Sequence, residues 1–158
     1  MKATRSPNVT TRILVPIDFS DCSRCTLPYA VSLAKSLRAT LVLLYVAETN
    51  PPGTELGLNR SADLETDLRR IAKRELARLR KVEMPADVKS QSVIRAGRAD
   101  TEILDVAKSL KADLILMSMH SKCSPEGQLG STAGRVTSLA SCPVLLVPVQ
   151  RSSVPFFL

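Results

Sequence analysis

Ile13-Leu14-Val15-Pro16-Ile17-Asp18-Phe19-Ser20-Asp21 carries the reading of the fold. The five apolar residues that open it suit a short strand buried on both faces, as in a parallel sheet. Pro16 has no N–H to give a central ladder, so it belongs near the end of that strand. The polar residues after it start a helix, with Ser20 or Asp21 as N-cap. Leu27, Ala30, Val31, Ala34 and Leu37 then recur at helical spacing. Pro28 falls inside that helix and is expected to kink it.

The same alternation continues outward. Residues 40–46 (TLVLLYV) are β-branched and apolar, a second strand. Residues 47–63 hold Asn50, Pro51, Pro52, Gly53 and Gly57, the composition of a mobile loop. Leu64, Leu68, Ile71, Ala72, Leu76 and Leu79 mark an amphipathic helix that ends before Pro85. Residues 88–94 alternate as a third strand closed by Gly97, and residues 99–110 form a helix with Ile103, Leu104, Ala107 and Leu110 inward. Residues 113–117 (DLILM) are the fourth strand, residues 118–128 a polar loop, residues 131–140 a helix, and residues 143–147 (PVLLV) the fifth strand. Strictly alternating strands and helices predict a doubly wound, three-layer α/β/α domain: five parallel strands, the first one central, with helices on both faces. The domain is expected over residues 11–149, between a flexible segment at residues 1–10 and a tail at residues 150–158 whose apolar end has no evident place.

A chain of 158 residues suits one domain with one core. Aromatic residues are 3% of it and Trp is absent, which argues against a sequence-specific reader of RNA bases, a task that needs stacking rings. The net charge of +7 favours anionic partners without naming one. Arg69, Arg70, Lys73, Arg74, Arg78, Arg80 and Lys81 make one helix strongly basic, either a patch for nucleic acid or, the more common case, a solvated face. Nucleic acid is therefore not an expected partner. No apolar run is long enough to span a membrane, and the first residues lack an apolar signal core. The expected compartment is the cytoplasm, where the four cysteines stay reduced.

Ligands of doubly wound sheets sit beyond the carboxyl ends of the strands, at the switch point. Three segments reach that place: Asp18 to Ser20, the end of strand two at Tyr45 and Val46, and the loop from Ser118 to Thr132. The last of these ends in Gly130-Ser131-Thr132 at a helix start. Free amides and the helix dipole there attract phosphate, while the same tripeptide is also an ordinary way to begin a helix.

At this point the chain resembles a known family. ILVPIDFSDCS with TLVLLYV is similar to the opening of universal stress proteins. GRADTEILDVAKSLKADLILMSMHS, GSTAGRV and SCPVLLVPV, in that order, are similar to their second half. The resemblance implies a sheet of order 3-2-1-4-5 and ATP, or a related adenine nucleotide, held across the switch point. It implies contacts at Pro16, Ile17, Asp18, Val46, Met117, Ser118, Ser121, Gly130, Ser131 and Thr132. Asp18 falls on the family's aspartate, Val46 on the valine beside adenosine, and Gly130 and Ser131 on the end of its phosphate motif, Gly-x2-Gly-x9-Gly-[Ser/Thr]. Ser118 and Ser121 replace the first two glycines of that motif, and eight residues rather than nine separate Ser121 from Gly130. The phosphate loop is therefore remodelled, since serine adds a Cβ where glycine lets backbone approach closely. The resemblance also implies a homodimer through the last strand, residues 143–147, besides protein partners the sequence does not identify.

Cys22 and Cys25 form a CxxC after the first strand, while His120 and Cys123 form an HxxC after the fourth. Neighbouring strands would bring the two loops together, so the four residues are candidates for a Cys3His zinc site. The plainer reading, four ordinary half-buried side chains, weighs more, because a CxxC alone is not a four-ligand site. The CxxC also invites a redox reading, though no thioredoxin-like aromatic precedes Cys22. Cys142 reads as a small core residue. No GxSxG, GxxxxGK[ST] or HExxH occurs, and no acid is placed to orient His120. The sequence thus points first to a binding or regulatory module, next to a slow ATPase in the same pocket, and third to a redox- or zinc-responsive module.

Overall fold

In a computed structural model, residues 11–48, 62–120 and 128–148 are described. The flexible segment expected at residues 1–10, most of the loop expected at 47–63 and the tail at 150–158 lie outside them. Ten elements follow in order: β1 (Arg12–Pro16), α1 (Asp21–Arg24), α2 (Leu27–Leu37), β2 (Thr40–Glu48), α3 (Ala62–Glu83), β3 (Ser90–Gly97), α4 (Ala99–Ser109), β4 (Leu114–Ser118), α5 (Ser131–Leu139) and β5 (Val144–Val147).

The five strands form one parallel sheet in the order β3-β2-β1-β4-β5, with β1 in the middle as its uninterrupted apolar run requires. Successive side chains point to opposite faces, so each inner strand feeds two cores. Ile13 and Val15 of β1, Leu41 and Leu43 of β2, and Leu116 of β4 meet Leu27, Ala30 and Ala34 of α2 and Leu76 and Leu79 of α3. Leu14, Val42, Leu44, Ile115 and Met117 turn the other way, onto Ile103, Val106 and Ala107 of α4 and Ala133 and Val136 of α5. Burying a side chain such as Leu14 or Leu43 contributes about 1.5–3 kcal/mol, so this double core carries most of the stability.

Several sequence expectations change. Pro28 does not kink a helix. The helix breaks before it, into α1 and α2, and Pro28 occupies the first turn of α2, where a missing N–H costs nothing. Thr26 bridges the break, its hydroxyl donating to the carbonyl of Ser23 at 2.6 Å. β2 runs on through Glu48, because β3 pairs with it as far as Glu48 beside Gly97. α3 already begins at Ala62. Leu37 and Ile71, read as core from their spacing, are 50% and 54% exposed. Each stands at the margin of its helix's apolar stripe, away from the buried residues that face the sheet. Pro16 does close β1, and the ladder continues past it through Ile17 N–H to Leu44 O at 2.8 Å.

Candidate functional site

The carboxyl ends of β1, β2 and β4 open into a cavity of about 530 Å3, within the range of small-molecule sites. Pro16, Ile17 and Asp18 line it from β1, Tyr45 and Val46 from β2, Met117 and Ser118 from β4, and Gly130, Ser131 and Thr132 from the start of α5. Nine of the ten positions carried over from the family thus share one wall system, and Ser121 lies outside the described residues. Ser23, Leu44, Glu48, Leu68, Ala99, Ile103, His120 and Ala133 line it as well. Of these, Ser23 had a local signal, the Ser-x-x-Ser spacing of a helix cap. Leu68, Ala99 and Ile103 reach the cavity only through the crossovers that fold α3 and α4 over the sheet.

One end of the cavity is a turn locked by its own side chains. Asp18 Oδ1 accepts from the amide of Ser20 at 2.9 Å and from its hydroxyl at 2.5 Å. Ser20 Oγ in turn accepts from the amide of Ser23 at 3.1 Å, which makes Ser20 the N-cap of α1. The Ser23 hydroxyl donates to Ser20 O at 3.0 Å and accepts from the Asp18 amide at 3.4 Å. Burial by itself pushes the Asp18 carboxyl up, but bonds from the Ser20 and Ser23 side chains and from backbone amides outweigh it and hold the group below its ordinary value. Phe19, inside this turn, has φ 61°, a left-handed conformation that costs a non-glycine residue about 1–2 kcal/mol. Its ring stacks on Tyr45 at 5.0 Å between centroids, an interaction of about 0.5–1.5 kcal/mol that offsets much of the strain.

The opposite end is the N-terminus of α5. Gly130 is its N-cap with no side-chain cap bond, and the first-turn amides of a helix have no intrahelical acceptor. They face the cavity with the positive end of the helix dipole. Ser118 lies outside the left-handed region, so its backbone does not need glycine. Its hydroxyl donates to His120 O at 3.0 Å, and the amide of Gly130 donates to Met119 O at 3.0 Å. His120 Nδ1 donates to Gln128 O at 2.7 Å.

Behind this end, Asp100 joins two helices. Its carboxylate, 7% exposed, accepts from Arg98 Nη2 at 2.9 Å and Nε at 3.2 Å, from the Thr101 amide at 3.0 Å and from Arg135 Nε of α5. Burial raises the group, but the two guanidiniums and the amide hold it below its ordinary value. Gly97, just before, has φ 147°, a conformation that side chains rarely adopt.

Cys22 sits on α1 and Cys25 is its C-cap, and neither lines the cavity, whereas His120 does. Cys22, Cys25 and Cys142 are free thiols. Among the described residues no group of three or more His, Cys, Asp or Glu side chains is arranged to hold a metal ion, and Cys123 lies outside those residues. Of the basic residues on α3, Arg80 is tied to β3, its Nη2 donating to Ser90 O at 2.6 Å, while Arg69, Arg70, Lys73, Arg74, Arg78 and Lys81 are exposed. Among the described residues no helix is long and apolar enough to cross a membrane.

A parallel sheet of order 3-2-1-4-5 with a cavity beyond the carboxyl ends of its strands defines a doubly wound α/β domain. The profile of the Universal stress protein family matches residues 10–148, and the chain belongs to that family. It is 34% identical to Universal stress protein Sll1654 of Synechocystis over 86% of this chain and 84% of that one. It is 33% identical to Universal stress protein MJ0531 of Methanocaldococcus jannaschii over 89% and 83%. The solved structure of UspA from Lactobacillus plantarum superimposes with a TM-score of 0.69 at 28% identity, covering 89% of this chain and 99% of that one. Two more distant structures share the fold. A universal stress protein in complex with cAMP has a TM-score of 0.61 at 19% identity, covering 88% and 97%. One from Archaeoglobus fulgidus in complex with dAMP has a TM-score of 0.60 at 17% identity, covering 87% and 97%.

Proposed function

We propose that this protein is a regulatory module that binds ATP or a related adenine nucleotide at the switch point. The observation that carries the reading is a cavity reaching from the Asp18 turn to the bare N-terminus of α5. Adenosine lies against Val46 and Ile17, where apolar walls meet one ionised acceptor, Asp18. Phosphate oxygens take the first-turn amides at Ser131 and Thr132 and the hydroxyls of both residues. That proteins of this fold hold dAMP and cAMP supports an adenine nucleotide as the class.

Calorimetry tests it. Wild-type protein gives a binding isotherm with ATP. Ser131→Ala weakens it by roughly tenfold, the loss of about one charge-assisted hydrogen bond. Gly130→Val weakens it further, because a branched side chain then crowds the buried N-cap. No heat at millimolar ATP sinks the reading.

One observation favours a second reading. Ser118 spends its hydroxyl on His120 O in ordinary backbone geometry, at a position where the family motif carries a glycine. A family member that has lost ATP and acts through protein partners fits this. AMP decides between partial and complete loss: equal affinity for AMP and ATP means that only the nucleoside end and one phosphate are held. Phosphate release from ATP, expected at background, tests the slow ATPase.

The proposed assembly is a homodimer through β5, a sheet edge on which Leu145 is 43% exposed and open to pairing. Light scattering of Leu145→Asp against wild type tests it. The proposed compartment is the cytoplasm.

A further inference from the structure

Cys22 and Cys25 bracket a residue of the cavity wall. Both are free thiols: Cys25, the C-cap of α1, is exposed, and Cys22 is half-buried. Residues three apart in an α-turn have Cα atoms about 5 Å apart, from a rise of 1.5 Å per residue and a radius of about 2.3 Å. That lies inside the span of about 4.4–6.8 Å found across disulfides. Their Cβ atoms, about 5–6 Å apart in a helix, must close to about 3.5–4.5 Å, so bond formation tightens the turn by about 1–2 Å.

The tightening falls on Ser23. This residue is buried, lines the cavity and is bonded on every side. Its amide donates to Ser20 Oγ, its hydroxyl links Ser20 O with the Asp18 amide, and its carbonyl accepts from the Thr26 hydroxyl at 2.6 Å and the Thr26 amide at 3.2 Å. Ser23 Oγ, 3.4 Å from the Asp18 amide, carries the shift toward Asp18.

We propose that Cys22 and Cys25 are a redox pair, oxidised by a low-molecular-weight disulfide to an intramolecular disulfide that displaces Ser23 and Asp18 at the cavity wall. The exposed Cys25 thiolate attacks one sulfur of the small disulfide, forming a mixed disulfide and releasing one small thiol. The Cys22 thiolate then attacks the Cys25 sulfur and releases the second. The protein gives up two electrons and two protons, and the small disulfide is reduced to two thiols. Cys142 is a poorer competitor, since it is half-buried against the α4 and α5 core and burial pushes its thiol up.

The experiment equilibrates the full chain with glutathione and glutathione disulfide and reads the product by intact and peptide mass spectrometry. Expected is the loss of two hydrogens, mapped to the peptide holding Cys22 and Cys25, in wild type and equally in Cys123→Ser/Cys142→Ser. In Cys22→Ser a glutathione adduct accumulates on Cys25 instead. A persistent glutathione adduct on wild type, or a bond from either residue to Cys123, overturns the pair. Nitrogen-15 amide spectra of the two redox states test the coupling. The amides of Asp18, Ser20 and Ser23 shift more than those of β5, and a disulfide that leaves them in place overturns that half. Neither readout uses a nucleotide, so both stand or fall apart from the proposed nucleotide site.

Discussion

Asp18 and Asp100 are both carboxylates at the start of a helix, and hydrogen bonds hold both below their ordinary value against the opposing pull of burial. They differ in where the bonds come from. Every partner of Asp18 lies within five residues, and all are neutral amides or hydroxyls of one turn. Asp100 takes one guanidinium from two residues away and another from α5, 35 residues along the chain. Asp18 therefore shapes a loop that stays open to the cavity. Asp100 fastens α4 to α5, the helices whose first turns supply Ala99 and Ser131 to the opposite wall. A site with one locally made end and one end made by tertiary contact breaks differently at each.

The largest effect is expected from Asp100→Ala. Breaking a buried ion pair costs about 3–5 kcal/mol when the remaining charge stays buried. Arg98 and Arg135 are 60% and 55% exposed and regain water, so about 2 kcal/mol is expected from the urea midpoint. Arg135→Ala costs about 1 kcal/mol. A double-mutant cycle of the two gives a coupling energy well above the additive limit of about 0.5 kcal/mol. Coupling within that limit removes the clamp from the account.

Ser20→Ala sharpens the other side. It removes an N-cap, at about 1 kcal/mol, and frees Asp18 Oδ1 from its shortest bond. The damage is expected to stay local: hydrogen exchange rises in α1, while the amides of α4 and α5 keep their protection. Loss of protection in α4 would mean that the two ends are not independent.

The smallest effect is the acid response. Both carboxyls are lowered in the folded protein, so the stability they contribute is complete above the ordinary value near 3.8 and is lost as pH falls through the lower folded value. Wild type should weaken as pH falls below about 3.8, where protonation breaks both networks. Asp100→Asn should flatten that limb more than Asp18→Asn, because Asp100 loses two guanidinium partners whereas those of Asp18 are neutral amides and hydroxyls of one turn. Equal flattening would put the two sites on the same footing.

Much of this was written along the chain. The apolar run at Ile13-Leu14-Val15 required a strand covered twice, and alternation of strands and helices required a parallel sheet with crossovers. Residue type narrowed the cap to Ser20 or Asp21, and the Ser23 amide bonded to Ser20 Oγ decided between them. The resemblance to universal stress proteins supplied the strand order and nine positions that meet in one cavity. Pro28 was read in the right place with the wrong consequence. Sequence marks a missing N–H, whereas the packing of Leu27 and Ala30 beneath the sheet decides whether the helix bends or restarts.

What only the tertiary structure decided has a common cause. Leu68, Ala99 and Ile103 reach the cavity, Arg135 reaches Asp100, and Ile71 and Leu37 remain in water, because the handed crossovers set which helix faces meet across the sheet. Local hydrogen bonds and hydrophobic period determine the elements within a few residues. The partners of a side chain 35 positions away depend on closing the whole α/β/α sandwich, a free-energy balance to which every element contributes and which no single segment encodes.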